Sequence, residues 1–411
     1  MAGIYIHIPF CASRCIYCAF YSTTSLALRQ KYVDAVCREV SMRCANAYDI
    51  NTIYLGGGTP SQLTAAQLQQ LFNALYIYNK VSPNAEVTIE VNPDDVSVEF
   101  AAMLQQLPVN RVSMGAQTFN NARLRFLRRR HTSQQVSEAV SRLRQAGIQN
   151  ISIDLMYGFP GETLDDWERD ITAALSLQVE HLSAYCLSVE EGTPLHRMPQ
   201  CVLPNEELVR AMYYLLKDRL ESAGFEHYEI SNFAKPGFRS RHNSSYWTGV
   251  PYLGLGAAAH SFDGHTRSWN IADIHQYIEG IERGERRFES ELIEGDTAYN
   301  DMLTVALRTR EGLDLNKLSE KHSDYCLKTA QRYIDTGLLR LKATPGQAPS
   351  HLTLTREGLF VSDMIISDLM LVSVLSPNTC SQSLAARLMC VIQLTGSVPA
   401  GYYLRRLGAI H

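Results

Sequence analysis

The stretch His7-Ile-Pro-Phe-Cys11-Ala-Ser-Arg-Cys15-Ile-Tyr-Cys18 decides the fold of this 411-residue chain. Its three cysteines have the spacing C-x3-C-x2-C and directly follow the alternating strand pattern of Ile4 to Ile8. A [4Fe-4S] cluster usually takes four cysteines, so three on one short loop would leave one iron open to an exchangeable ligand. The motif therefore predicts a cluster held by Cys11, Cys15 and Cys18, with room for a small molecule beside it.

Two other interpretations of these cysteines remain open from the sequence. Zinc bound by three cysteines and one histidine is a common closed site, and His7 is available as the fourth ligand. The three thiols are also compatible with unrelated buried cysteines, which behave as small hydrophobic residues. The position of the motif after a strand, and the further motifs that follow along the chain, favour the cluster.

The composition is that of a globular chain without general affinity for polyanions. Hydrophobic residues make up 45% of the chain, charged residues 19%, and the formal net charge is -4, which argues against nucleic acid as a partner. The longest apolar runs, such as Met370 to Val374 and Leu388 to Ile392, are far shorter than the ~20 residues of a bilayer span. Scattered cysteines and the lack of a secretory leader before the motif predict a reducing, cytoplasmic location.

Apolar runs of strand length alternate with helix-period segments through the first half of the chain. Strands that alternate with helices argue for a parallel sheet, so the expected fold class is α/β. In such folds the functional residues gather at the carboxyl ends of the strands. The six expected strands are Ile4–Ile8, Thr52–Leu55, Glu86–Val91, Arg111–Met114, Asn150–Leu155 and His181–Leu187.

Distinct motifs follow strands two to five. Gly56-Gly57-Gly58-Thr59-Pro60 follows strand two, and Glu90-Val-Asn92-Pro93 ends strand three. Gly115-Ala-Gln117-Thr118-Phe119 and an arginine run that includes Arg129 follow strand four, and Asp154-Leu-Met-Tyr157-Gly158 ends strand five. Glycine lets backbone approach a ligand closely, and arginine pairs with carboxylates. Each motif alone also has an ordinary explanation: a tight turn, a solvated strand end, a solvated helix face or a buried structural aspartate.

Taken in order, these motifs resemble those of one family. They read I-Y-I-H-I-P-F-C-x3-C-x-Y-C, G-G-G-T-P-S, E-V-N-P, S-M-G-A-Q-T-F and D-L-M-Y-G-F-P-G-E-T, and are similar to the coproporphyrinogen dehydrogenases and their relatives, the HemW heme chaperones, within the radical SAM superfamily. The match covers roughly Gly3 to Leu371. The resemblance implies an incomplete (β/α)6 barrel, with S-adenosylmethionine (SAM) on the open iron.

The resemblance also implies roles for individual residues. The cluster ligands fall on Cys11, Cys15 and Cys18. In the superfamily, electron transfer from the cluster to SAM starts radical chemistry that belongs to the cofactor, while the protein supplies position and excludes water. The family's SAM contacts fall on Tyr5, Gly57, Gly58, Thr59, Glu90, Gln117, Arg129 and Asp154.

The family has an oxidase branch and a carrier branch. Coproporphyrinogen dehydrogenases have a further cysteine two residues after the third ligand and a long extension before the motif. Here that position is Phe20, and only ten residues precede Cys11. Both departures count against the enzyme, an oxygen-independent coproporphyrinogen III oxidase. His242-Asn243-Ser-Ser-Tyr246-Trp247 instead resembles the H-N-x-x-Y-W motif of the heme-chaperone branch.

The H-N-x-x-Y-W resemblance implies that His242, Asn243, Tyr246 and Trp247 face heme. A neutral imidazole is a common axial ligand of heme iron, and aromatic rings supply flat apolar area for a macrocycle. His260 is a rival ligand. Without the family, a hydrogen bond within a loop is the favoured explanation of His242, so iron ligation by either histidine is a hypothesis.

The second half of the chain predicts a mixed α+β architecture with a winged-helix-like end. A strand is expected near Tyr228–Phe233 and helices at Leu313–Glu320 and Tyr325–Thr336. The winged-helix-like part lacks a concentrated basic face, which favours protein interaction or site covering over DNA binding. The expected divisions are a barrel with the cluster and SAM site (1–203), a heme-facing region (204–295), a winged-helix-like C-terminal domain (296–371) and a tail outside the family match (372–411).

The sequence thus predicts a heme chaperone that binds heme, a [4Fe-4S] cluster and SAM and transfers heme to acceptor proteins. Coproporphyrinogen III oxidase is the enzyme alternative, and a radical SAM methylase or cyclase is a third hypothesis. An electron donor is implied if SAM is cleaved. Peripheral contact with respiratory proteins and a homodimer are compatible with the sequence, whereas an integral membrane segment is not expected.

Overall fold

The computed structural model describes residues 2–43, 49–198, 200–343 and 349–371. The predicted tail, residues 372–411, lies outside the described residues. The strands are β1 (Ala2–Ile8), β2 (Asp49–Gly57), β3 (Lys80–Val91), β4 (Arg111–Gln117), β5 (Asn150–Tyr157), β6 (His181–Cys186), β7 (Glu226–Glu229), β8 (Asn232–Ala234), β9 (Tyr252–Leu255), β10 (His260–Phe262), β11 (Thr266–Asn270), β12 (Phe288–Leu292), β13 (Leu313–Asp314), β14 (Leu339–Ala343) and β15 (Pro349–Leu354). The helices are α1 (Arg29–Arg43), α2 (Ala65–Tyr78), α3 (Val98–Leu104), α4 (Asn121–Phe126), α5 (Ser133–Gln145), α6 (Leu164–Ser176), α7 (Glu206–Ser222), α8 (Arg241–Trp247), α9 (Ile274–Glu282), α10 (Gly295–Ala306), α11 (Glu320–Asp335), α12 (Arg356–Phe360) and α13 (Ser362–Leu369).

Strands β1 to β6 pair in chain order and in parallel. This pairing confirms the predicted α/β class and the incomplete (β/α)6 barrel. The sheet stays open, because β9 pairs with β1 at one edge and β8 pairs with β6 at the other. The full strand order is β12-β11-β10-β9-β1-β2-β3-β4-β5-β6-β8-β7. Later parts of the chain therefore extend both edges of the barrel sheet and do not close it.

Local sequence signals explain where several barrel helices begin. Helices α2, α5 and α6 each start with a capping box, in which the N-cap threonine and the third helical residue satisfy each other's backbone N–H groups. Their spacing of apolar residues then turns one face of each helix toward the sheet. The N-cap residues are Thr64, Thr132 and Thr163.

Barrel strands alternate between apolar residues that pack under the helices and polar residues that line the interior. On β1, Ile4 is fully buried in the main hydrophobic core, whereas the neighbouring Tyr5 stacks on Tyr54 of β2, with ring centroids 6.2 Å apart. The interior is therefore polar, and it can receive a polar ligand from the carboxyl ends of the strands. Strand register assigns to it Gly3, Tyr5, His7, Thr52, Tyr54, Glu86, Thr88, Glu90, Arg111, Ser113, Ser152, Asp154, His181 and Ser183.

The C-terminal region has a hydrophobic core of its own, built from residues between Tyr299 and Met370. Helix α10, strand β13, helix α11 and the hairpin β14–β15 follow one another, and the small sheet has the order β13-β15-β14. This arrangement confirms the predicted α+β end. The predicted helix at Leu313–Glu320 is wrong, because β13 and a 3-10 turn occupy most of that stretch and α11 begins only after its N-cap, Ser319.

Two further expectations need correction. The predicted strand Tyr228–Phe233 is two antiparallel strands, β7 and β8, because the chain turns at Ser231, whose N–H donates to Glu229 Oε1 at 3.1 Å. The H-N-x-x-Y-W motif is not in a loop but forms helix α8. Ser240 is its N-cap and accepts the N–H of Asn243 at 3.3 Å.

Candidate functional site

Cys11, Cys15 and Cys18 lie on the loop that follows β1, at the carboxyl end of the barrel. Cys11 Sγ is 3.7 Å from Thr59 Oγ1, and Cys15 Sγ is 3.6 Å from Arg129 Nη1. Burial, together with the nearby Cys15 and Cys11 thiols, raises the pKa of the Cys18 thiol to about 11. Because thiolates bind metals, this group needs a positive partner in order to ionise near neutral pH.

The contacts of His7 do not support the zinc interpretation. His7 Nε2 is 2.9 Å from Tyr21 O, and Nδ1 is 3.1 Å from Tyr5 Oη. Burial lowers the pKa of His7 to about 4, so the ring is neutral with both nitrogens engaged. Among the residues that the structure describes, no three His, Cys, Asp or Glu side chains form a group that could hold one metal ion. A cluster binds each cysteine through a different iron, so its ligands need not converge in that way.

Gly57 and Gly58 bring the end of β2 against the start of the cysteine loop. Gly57 has φ +108°, and a Cβ there would lie 2.5 Å from the His7 ring. A Cβ on Gly58 would lie 2.8 Å from Ile8 O, the same oxygen that accepts the Gly58 N–H at 2.8 Å. Packing within the chain is a sufficient reason for both glycines, and their contact with the methionine part of SAM remains a prediction.

Glu90, at the end of β3, joins two neighbouring strands. Its Oε1 accepts a hydrogen bond from Tyr54 Oη at 2.8 Å, and Oε2 accepts the Gly57 N–H at 3.2 Å. Burial raises the pKa of Glu90 to about 7, against the opposing effect of the Tyr54 hydrogen bond. The carboxyl group therefore titrates near neutral pH, and a nearby cation such as a ligand ammonium would favour its charged form.

Arg129 connects the cysteine loop to strands β3 and β4. Its Nη2 donates to Asn92 Oδ1 at 2.7 Å and to Gly115 O at 2.6 Å. Asn92 Nδ2 in turn donates to Thr59 Oγ1 at 3.3 Å. The Nε of Arg129 is buried and has no hydrogen-bond partner within the described part of the chain. It is a donor for an anionic group such as a carboxylate.

Gln117 and Asp154 complete the set of predicted SAM residues. Gln117 ends β4 with φ 67°, a conformation uncommon for a residue other than glycine. Burial raises the pKa of Asp154 to about 6, while a hydrogen bond from Ser183 and the charge of Arg111 lower it. Nε and Nη1 of Arg111, also in the interior, have no hydrogen-bond partner among the described residues. Acids that titrate near neutral pH beside unpartnered donors suit a zwitterionic ligand with both an ammonium and a carboxylate.

Helix α8 lies at the other end of the barrel. The His242 ring is packed so closely that a Cβ on Gly3 would lie 3.2 Å from it. Gly3 and Ile8 lie at opposite ends of β1, about 16 Å apart at ~3.3 Å per residue. The backbone N–H groups of Arg241 and His242 donate to the two carboxylate oxygens of Glu86, each at 3.0 Å. Among the described residues, the motif therefore does not contact the cysteine loop, but the His242 ring stacks on the predicted SAM residue Tyr5, with ring centroids 6.4 Å apart.

Both ring nitrogens of His242 have partners in this arrangement. Nδ1 is 2.8 Å from Thr52 Oγ1, and Nε2 is 2.8 Å from Tyr246 Oη. The residue is 1% exposed, and burial lowers its pKa to about 3. The neutral ring is thus an internal link between β2 and α8.

The other predicted heme residues lie in different surroundings. Trp247 is buried, and the Arg308 guanidinium lies 5.9 Å from its ring centroid. Asn243 is half-buried on α8. His260, on β10, stacks on Trp269 with ring centroids 5.7 Å apart, and burial lowers its pKa to about 4.

Known proteins resemble both the sequence and the fold. Residues 5–174 match the Radical SAM superfamily. The heme chaperone HemW of Bacillus subtilis is 37% identical over 331 residues, which cover 78% of this chain and 87% of that protein. The heme chaperone HemW of Lactococcus lactis is 36% identical over 321 residues, 77% of this chain and 84% of that protein. The chain belongs to the HemW family.

Membership of the HemW family within the radical SAM superfamily implies a [4Fe-4S] cluster and SAM. Among solved structures, the radical SAM enzyme coproporphyrinogen III oxidase (HemN) from Escherichia coli has a TM-score of 0.77 and 21% identity, with 90% of each chain covered. That likeness concerns the fold alone. In the described ranges, no helix is both long and apolar enough to cross a membrane.

Sequence analysis missed three residues that organise this site. Asn92 bridges Arg129 and Thr59. Its position at a strand end, two residues after Glu90, is the sequence feature that could have indicated this role. Arg111 is 1% exposed at the start of β4, where a charge at the head of an apolar strand was the available signal. Glu86 has no local signal for its role, because its partners lie on α8.

Proposed function

We propose that this protein is a heme chaperone, which binds heme, a [4Fe-4S] cluster and SAM and transfers heme to acceptor proteins. The observation that carries the proposal is its 36–37% identity, over more than three quarters of the chain, to proteins named heme chaperone HemW. Phe20, where the oxidase branch has a cysteine, also supports the carrier branch. The cytoplasm is the proposed location.

Three thiols on one loop support the assignment of the cluster ligands to Cys11, Cys15 and Cys18. When bound, the cluster and SAM supply one-electron chemistry. The buried Nε of Arg129 and the titrating carboxyl of Glu90 are the groups that we assign to the SAM carboxylate and ammonium. The proposed SAM set is Tyr5, Gly57, Gly58, Thr59, Glu90, Gln117, Arg129 and Asp154.

The contacts of His242, in the H-N-x-x-Y-W motif, do not favour its assignment as a heme ligand. Iron ligation by His242 would use one ring nitrogen and would require its hydrogen bond, to Thr52 or to Tyr246, to break. These contacts favour a role for His242 in supporting the barrel end. We also propose domain boundaries at 203/204 and 295/296. The separate hydrophobic core that begins at Tyr299 supports the second boundary. An electron donor, respiratory acceptors and a homodimer remain predictions.

Coproporphyrinogen III oxidase is the second candidate function. The fold likeness to HemN, with a TM-score of 0.77, is the observation that favours it. The polar barrel interior below the cysteine loop is compatible with either function, so the choice needs a measurement of both heme binding and decarboxylation.

One anaerobic experiment tests both candidates in the same preparation. The protein is reconstituted with iron and sulfide, heme is added, and its Soret absorption is followed while coproporphyrinogen decarboxylation is assayed with SAM and a reductant. The heme chaperone predicts stable heme binding without decarboxylation, followed by heme transfer to an added apo-cytochrome. Turnover without tight heme binding would overturn the proposal in favour of the oxidase, and neither activity would overturn both.

A further inference from the structure

A cavity of about 610 Å³ lies beside the carboxyl ends of β5 and β6. The loop after β6, helix α7 and the pair α12–α13 form its other walls. Its lining includes Ala184, Leu187, Val209, Tyr213 and Phe360. Ligand cavities in proteins have volumes of about 300–1,000 Å³ and are mostly apolar with a few polar groups. The size and the walls therefore suit a large, mostly apolar ligand with a few polar groups.

Side chains that can hold heme iron line the same cavity. Imidazole, thioether and thiolate groups are the usual axial ligands, and the lining contains His196, Met198, Cys186 and Cys201. His196 is exposed at the mouth, and its backbone N–H donates to Thr193 Oγ1 at 3.3 Å. Within the described residues its ring makes no hydrogen bond, in contrast to the ring of His242.

The rim of the cavity offers a cation for acidic substituents. Arg210, on α7, places its guanidinium 4.9 Å from the ring centroid of Phe360. It also pairs with Glu206 at 3.1 Å, and both Phe360 and Glu206 line the cavity. Arg210 is exposed, so it can turn to a ligand carboxylate without the cost of breaking a buried contact.

A hydrogen bond and an apolar contact connect the lining of the cavity to the cysteine loop. The N–H of Leu195, the neighbour of His196, donates to Ile16 O at 2.9 Å. Ile16 and Leu195 also belong to one small hydrophobic cluster with Phe159 and Leu187. The segment that carries the free imidazole is therefore held by the loop that carries Cys15 and Cys18.

We propose that this cavity is the heme site, with His196 as iron ligand and Arg210 at the propionates, beside the carboxyl ends of β5 and β6. This inference deepens the proposed function and rests on it, since it assumes a tetrapyrrole ligand. Bound heme would lie against Leu195, which contacts the cysteine loop through Ile16, and the apolar walls would cover the macrocycle.

The test compares heme titrations of variants by Soret absorption under anaerobic conditions, with circular dichroism to verify folding. Val209→Trp fills the cavity, and its matched control is Val202→Trp, at a residue that is 75% exposed and does not line the cavity. His196→Ala removes the ligand, and the exposed His275→Ala is its control. Loss of even an indirect partner of a metal costs about 10–100-fold in affinity, so we expect at least a ~10-fold loss for His196→Ala and none for the controls.

Each outcome decides a distinct point. No heme binding by the unmodified protein would overturn the proposed function, and the inference with it. Normal binding by both Val209→Trp and His196→Ala would overturn the inference while the proposed function stands. If Val209→Trp fails to fold, the exposed Arg210→Glu and His196→Ala still decide, since normal heme affinity in both would overturn the site. A shifted Soret maximum in His196→Ala supports direct ligation.

Discussion

The guanidinium of Arg129 lies against the thiol of Cys15, with Nη1 3.6 Å from Sγ. Hydrogen bonds to sulfur and nearby charge help to set the reduction potential of an iron–sulfur cluster. We expect Arg129→Gln to lower the potential, because a positive charge that stabilises the reduced cluster is lost. A redox titration followed by electron paramagnetic resonance, without SAM, measures the change.

Arg125→Gln is the control for this prediction, because Arg125 is exposed on the neighbouring helix α4. It removes the same charge from the chain without removing a contact to the cysteine loop. Equal potentials in Arg129→Gln and the unmodified protein would contradict the assignment of Cys15 as a ligand next to Arg129.

Glu90 should make the stability of the cofactor-free protein depend on pH. Burial raises its pKa to about 7 in the folded state, whereas an unfolded glutamate has a pKa of about 4.3. The folded state therefore binds more protons between these values, so the free energy of unfolding falls as pH rises through that range. Glu90→Gln cannot ionise, and we expect its decline to be shallower. Urea unfolding at several pH values between 4.5 and 8 measures it.

The matched control is Glu282→Gln, at an exposed position on α9. It should reproduce the pH profile of the unmodified protein. Identical slopes for Glu90→Gln and the unmodified protein would mean that Glu90 is ionised throughout, and that the buried carboxyl has a stronger cationic partner than the structure gives it.

His242 should stabilise the fold through its two hydrogen bonds. His242→Ala leaves the buried hydroxyls of Thr52 and Tyr246 without this partner, which should lower the free energy of unfolding by about 2–3 kcal/mol. Tyr246→Phe removes one of the bonds and should cost about 1 kcal/mol. In the double variant the costs should not add, because both changes remove the same contact. Chemical denaturation measures all three, and stability unchanged in His242→Ala would refute the link.

Cys15→Ala should remove the cluster and loosen the wall of the proposed heme cavity. The Leu195 N–H bonds to Ile16 O, one residue after Cys15, so a cysteine loop that loses its cluster also loses a fixed acceptor. We expect lower iron and sulfide content. Relative to the unmodified protein, hydrogen exchange should become faster in residues 188–198 and stay unchanged in α2. Cys37→Ala, on α1, is the control. Unchanged exchange at Leu195 would show that the two loops are independent.

The barrel could be predicted from sequence because its signals are local. The expected strand Asn150–Leu155 lies within β5, and helix α2 begins at the capping box of Thr64. Periodic apolar residues and capping boxes need no distant partner. The cysteine, glycine and acidic motifs were found for the same reason, since each follows a strand end.

The position of α8 could not be predicted in this way. The contact between Glu86 and Arg241 spans 155 residues, and neither residue shows a local pattern that points to the other. Helix α8 is also too short to show a helical repeat of apolar residues in the sequence, so a loop was expected at these residues. The cavity beside β6 was missed because its walls come from β5, the loop after β6, α7 and the C-terminal helices.

The carboxylate of Glu86 has consequences for the order in which the chain is made. Its donors, the N–H groups of Arg241 and His242, leave the ribosome more than 150 residues later. Until then the amino end of the barrel contains an acid without its partners, and a carboxylate buried alone costs several kcal/mol. The amino end of the barrel therefore reaches its final packing only after α8 has been made, while Glu86 stays solvated until then. Metal loading at the opposite end would precede a finished scaffold unless the cell delays it until Trp247 has emerged.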